Sequence, residues 1–139
     1  MRLHIINGPN LNNIGIREPN IYGNISFSNY FNNLKREFPE IDFTYSHSHI
    51  ESDIVDTLHN TANSCDGIIL NAGAYSHTSI AIRDAVAAIS IPVVMVHISN
   101  VYAREPFRNK NLIAPVCKGI ITGFGINSYK IATYSFKKY

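Results

Sequence analysis

Residues 67–79 read GIILNAGAYSHTS. Gly67, Ile68, Ile69 and Leu70 carry no polar side chain, and the chain turns polar at Asn71. A continuous apolar run of this kind suits a strand covered on both faces, whereas an alternating run would suit a sheet with one wet face. The glycine and hydroxyl residues that follow predict a loop, and residues 80–89 predict a helix. Strand, polar loop and helix together make the first half of a βαβ unit.

The same order recurs on either side. Residues 3–6 form a short, largely apolar run that ends in Asn-Gly-Pro, which predicts a buried strand and a loop. Positions 7–24 are rich in Asn, Gly and Pro and lack periodicity; long loops of this kind are often functional lids. Phe27, Tyr30, Phe31, Leu34 and Phe38 recur at helical spacing, and Pro39 marks the end of that helix. Residues 41–45 predict a second strand. Ser52 or Asp53 is expected to cap a helix carrying Ile54, Val55, Leu58 and Ala62. Downstream, residues 92–98 predict a fourth strand, with proline first, where a missing donor matters least. Residues 119–122 predict a fifth strand and 126–136 a last helix.

The expected fold is therefore α/β, a flavodoxin-like doubly wound five-stranded parallel sheet with helices on both faces, in a single domain over residues 1–139. In such sheets ligands bind beyond the carboxyl ends of the strands. The loops NGPN, NAGAYSHTS and HISNVYAREPFR follow the first, third and fourth strands and are expected to converge on one crevice.

Composition narrows the function classes. With 45% hydrophobic and 16% charged residues, the chain has the material for a core and too little charge for a disordered segment. Twelve basic against ten acidic residues give a formal charge of +2, which offers no reason to expect nucleic acid as a partner. The beginning, MRLHIINGPN, lacks the apolar core of a signal peptide. The apolar stretch over 89–98 is broken by Ser90, Pro92 and His97 and is too short to span a bilayer. Cys65 and Cys117 form no CxxC pair and read as reduced thiols. These features lead us to expect a cytoplasmic protein with no membrane partner.

Three blocks carry the chemistry. The first is Asn7-Gly8-Pro9-Asn10-Leu11-Asn12 with Gly15-Ile16-Arg17-Glu18-Pro19 and Tyr22-Gly23. The second runs from Asn71 to Ser79 and continues in Arg83-Asp84-Ala85; the third holds His97-Ile98-Ser99-Asn100 and Ala103-Arg104-Glu105-Pro106-Phe107-Arg108. In order and spacing, from about residue 3 to residue 132, they resemble the type II 3-dehydroquinate dehydratases. The resemblance implies a lyase of the shikimate pathway. It implies conversion of 3-dehydroquinate to 3-dehydroshikimate and water by anti elimination through an enolate.

By this resemblance Tyr22 is the base and Arg17 its activator. Asn10 holds a water near the enolate, and His97 is the general acid. Asn71, His77, Ser99, the backbone of Ile98 and Arg108 bind substrate, with Arg108 gripping the carboxylate. Asp84 reaches a neighbouring subunit's site, in a dodecamer built from trimers. No cofactor is implied, and no metal ligand set is evident. The lysines lie outside the three blocks, which argues against a Schiff base. Keeping a tyrosine of pKa ~10 ionised at neutral pH costs roughly 4 kcal/mol. A cation about 4 Å away, at an effective dielectric of about 20, returns roughly the same. Residues 11–23 are expected to form a mobile lid bearing Arg17 and Tyr22.

Some positions depart from the family. A glutamate is usual two residues before the catalytic histidine, on the same strand face; here Met95 stands there, and Glu105 is a candidate to fill the gap. Tyr102 replaces a common histidine, and His47 and His49 stand where Gln and Asn are common. A competing reading is a nucleotide or flavin module, since Gly123-Phe124-Gly125 follows a strand and opens a helix. Another is a silent paralogue that only binds the acid.

Overall fold

The computed structural model describes residues 1–16 and 18–137, with the backbone alone at Tyr22. The strands are β1 (Arg2–Asn7), β2 (Asp42–His47), β3 (Gly67–Asn71), β4 (Val93–His97) and β5 (Gly119–Thr122). They form a five-stranded sheet in the order β2-β1-β3-β4-β5 with every pairing parallel. Parallel neighbours need crossovers. Three of these run through α2 (Phe27–Glu37), α3 (Glu51–Thr61) and α4 (Ile80–Ala88), the link from β4 to β5 runs through short 3-10 turns, α5 (Ser128–Phe136) closes the chain and a short α1 (Pro19–Tyr22) precedes α2. The order and the helix placement are those of the flavodoxin-like fold.

Alternation along the strands separates two cores. Leu3, Ile5, Ile69, Val94 and Val96 face α2 and α5 and pack on Phe27, Leu34, Tyr129 and Phe136. Ile6, Ile68, Leu70, Val93 and Met95 face α3 and α4 and pack on Ile54, Leu58 and Ile82. Ile68, Ile69 and Leu70 are each 0% exposed, so central strand β3 is covered on both sides. Ile69→Ala would remove a filled site at a cost of about 2–5 kcal/mol. The strand opens on glycine because a Cβ at Gly67 would come within 2.3 Å of the Phe136 ring.

Several local expectations change. Helix α3 begins at Glu51 with Ile50 at its N-cap, and neither Ser52 nor Asp53 caps it. Ser48 Oγ accepts from the Ile50 amide at 2.9 Å and donates to Asp53 at 2.7 Å, which holds the preceding loop against the first turn. The segment over 7–24 is less open than its composition predicts. Leu11 and Ile14 are buried in the α2 and α5 core, which ties the first part of the expected lid to the fold. The Gly-Phe-Gly turn is no dinucleotide cradle: the Gly123 and Gly125 amides donate to the carbonyls of His97 and Ile98 at 3.3 and 2.9 Å. Among the described residues, no helix is long and apolar enough to cross a membrane.

Candidate active site

The loops after β1, β3 and β4 line one pocket at the carboxyl end of the sheet. Asn10 comes from the first; Asn71, Gly73 and His77 from β3 and its loop; His97, Ile98, Ser99, Arg104 and Arg108 from β4 and its loop. Glycine permits their approach. A Cβ on Gly8 would lie 2.6 Å from the Ala72 carbonyl oxygen, and the Gly8 amide donates to the Asn71 carbonyl at 2.7 Å. Asn10 adopts a left-handed conformation (φ 67°), and its amide donates to His49 Nδ1 at 3.1 Å. His49 thus supports the loop that presents Asn10.

A buried polar relay sets the ends of β1 and β3. Asn7 and Asn71 are register partners. The Tyr129 hydroxyl donates to Asn7 Oδ1 at 2.7 Å and accepts from Asn71 Nδ2 at 2.9 Å, while Asn71 Oδ1 accepts from the Gly73 amide at 3.2 Å. Tyr129 is fully buried, and burial pushes its pKa far above the usual phenol value. It therefore stays a neutral donor. Asn71 reaches the pocket with its amide orientation already fixed by this relay.

His97, at the end of β4, is 6% exposed. Burial pushes its pKa down to about 4, aided by the positive charges of His77, Arg108 and Arg104. The ring is neutral at pH 7. Asn111 Nδ2 donates to His97 Nε2 at 3.2 Å and approaches Met95 Sδ at 3.1 Å, while Asn111 Oδ1 accepts from the amides of Ile113 and Ala114 at 3.0 and 2.9 Å. His77 lies across from His97, and its Nδ1 donates to the Lys110 carbonyl at 2.6 Å.

Among the described residues, two guanidinium groups make the pocket electropositive. Arg104 Nη1 donates to Ser99 Oγ at 3.4 Å. Arg108 Nε pairs with Glu105, and the guanidinium stands over the Phe107 ring. Arg108 in turn holds the Glu105 carboxyl below its usual pKa. Glu105 is thus committed to Arg108 and does not stand in for the missing acid beside His97. Imidazoles, amides and the guanidinium groups of Arg104 and Arg108 around one cleft suit an anionic, hydroxyl-bearing molecule.

Of the residues singled out in the sequence, Asn10, Asn71, His77, His97, Ile98, Ser99 and Arg108 line this pocket. Asp84 does not: it sits on α4, 65% exposed, paired with Arg83 at 3.1 Å. Arg17 lies outside the described residues, as does the Tyr22 side chain, whose backbone ends α1. Tyr102 is exposed, and the His47 and His49 rings meet edge to face at 4.7 Å. Among the described residues, no group of three or more His, Cys, Asp or Glu is placed to hold a metal ion. Sequence reasoning left out Arg104, although its block was in view. It also left out Asn111, which lies beyond the block, and only the folded chain brings it to His97.

The model of a family described as dehydroquinase class II matches residues 1–137. A 3-dehydroquinate dehydratase of Exiguobacterium sp. is 52% identical over 136 residues, covering 97% of this chain and 93% of that protein. One from Nitratiruptor sp. is 50% identical over 134 residues, covering 95% and 86%. The crystal structure of a type II dehydroquinase from Butyrivibrio crossotus superposes with a TM-score of 0.95 at 42% identity, covering 99% of this chain and 97% of that one. That of Propionibacterium acnes gives 0.94 at 31% identity, with the same coverage.

Proposed function

The chain belongs to the class II dehydroquinase family, and from that premise we propose that it dehydrates 3-dehydroquinate to 3-dehydroshikimate in the shikimate pathway. The observation that carries this reading is the convergence of Asn10, His77, His97, Ser99, Arg104 and Arg108 on one cleft. A carboxylated, polyhydroxylated ketone needs an anion site, hydroxyl partners and a proton donor, and these side chains supply all three.

In the proposed mechanism Tyr22, ionised beside Arg17, removes a proton from the carbon next to the ketone. The electron pair moves to the ketone oxygen as an enolate, near a water held by Asn10. Collapse of the enolate forms the carbon–carbon double bond and expels the β-hydroxyl on the opposite face. His97 hands that oxygen a proton, and water leaves. The net change is loss of one water, with no change of oxidation state. Arg108, its plane set by Glu105, meets the carboxylate with its fork; Asn71, His77, Ser99 and the Ile98 backbone hold the ring hydroxyls.

The exposure of Asp84 fits a role at a neighbouring subunit's site, in a dodecamer built from trimers, and the protein works in the cytoplasm. Sizing of the purified protein tests the assembly: a fully active monomer would defeat the Asp84 role. Turnover is tested by adding 3-dehydroquinate and following ultraviolet absorbance of the conjugated enone. A steady rise is expected, and a flat trace with folded protein would reject the activity and leave a silent binder.

A further inference from the structure

We propose that Asn111 is a positioning residue for His97, fixing the imidazole in the tautomer that carries its proton on Nδ1, so that the proton donor of the reaction is a neutral ring. This rests on the reading of His97 as that donor.

The orientation of the Asn111 amide carries the argument. Its Oδ1 receives two backbone amides, from Ile113 and Ala114. Backbone amides only donate, so an NH₂ group cannot take that place. Nδ2 must then face Met95 Sδ and His97 Nε2. An amide nitrogen donates and does not accept, so Nε2 accepts and the proton resides on Nδ1. Asn111 is not among the pocket-lining residues, whereas His97 is. Nδ1 is therefore the ring nitrogen left to meet the substrate.

A second proton on Nε2 would point one N–H at another. Among the described residues, the charged or titratable groups facing the ring also oppose it: His77 from the loop after β3, and Arg104 and Arg108 from the loop after β4. From β4 itself and from the 109–116 segment the facing groups are Met95 and Asn111, both uncharged. A carboxylate at either position would reverse the polarity and draw the proton to Nε2. Burial supports the neutral form, since it holds His97 low at about 4.

The test is nitrogen-15 NMR of the histidine side chains in the intact protein, with His97 assigned by its loss in His97→Asn. At about pH 7, His97 should show a protonated Nδ1 and an unprotonated Nε2. In Asn111→Asp one carboxylate oxygen can keep the two backbone bonds while the other faces Nε2. The His97 titration midpoint should rise by about 1–3 units, and the pH profile of turnover should shift with it. A wild-type ring protonated on Nε2 would overturn the proposal whether or not the variant folds. So would a folded Asn111→Asp protein with an unmoved midpoint. Undiminished turnover in His97→Asn would instead reject the reading of His97 as proton donor and leave the tautomer result standing.

Discussion

The imidazole rings of His77 and His97 lie 6.0 Å apart and within 16° of parallel. Two rings so close do not readily carry charge together, and His77 is the largest charge effect on His97 after burial itself. His77→Asn keeps a donor near the Lys110 carbonyl and removes the neighbouring ring. His97 should then titrate higher, by less than about one unit, because burial remains the main cause. An NMR titration reads this directly, and a fall in the midpoint would contradict repulsion between the rings.

Tyr22→Phe should fold as the parent does and lose about 10²–10⁴-fold in turnover, since the substitution removes the proposed base and little else. Circular dichroism checks the fold and the enone assay checks the rate. Activity within about threefold of the parent would remove Tyr22 from that role.

Tyr129→Phe deletes one hydroxyl and leaves both Asn7 Oδ1 and Asn71 Nδ2 without that partner in the interior. Each loss of a buried partner costs about 1–3 kcal/mol. Urea unfolding should show a lower midpoint with an unchanged slope. Turnover should also fall, because the relay orients Asn71 and the turn at Gly73. A variant as stable as the parent would mean that water replaces the hydroxyl.

Acid should weaken the fold through its buried histidines. His97 is lowered from 6.5 to about 4 by burial and by neighbouring positive charge, a shift worth roughly 3 kcal/mol. Burial lowers His4 as well. The folded chain resists protons that the unfolded chain accepts. The stability is therefore fully present above about pH 6.5 and is lost as pH falls towards about 4. Urea midpoints at about pH 7 and about pH 4 should separate, and His97→Gln should separate less. Equal separation in parent and variant would show that His97 is not a source of the acid loss.

The sequence by itself determined the sheet and the rim of the cleft. Gly67 to Leu70 suited a strand buried on both faces, and Phe27 to Phe38 suited a helix with one apolar side, because hydrophobic periodicity is a local property of the chain. A parallel sheet followed from the alternation of elements, and so the loops bearing Asn10, His77 and His97 had to share one end; the order β2-β1-β3-β4-β5 came from the tertiary structure. Capping was less legible: Ser52 and Asp53 suit an N-cap, but Ile50, ahead of both, takes that position without a side-chain cap. Contacts across sequence were decided by the tertiary structure alone. The Asn7–Tyr129–Asn71 relay joins residues up to 122 positions apart, and Asn111 meets His97 across 14. No periodicity records such pairs, because a hydrogen bond between distant segments depends on where packing leaves two side chains, and packing is a property of the whole fold. The missing glutamate at Met95 was visible in the chain, whereas the amide that takes up the contact with His97 became visible only once β4 and the 109–116 segment were side by side.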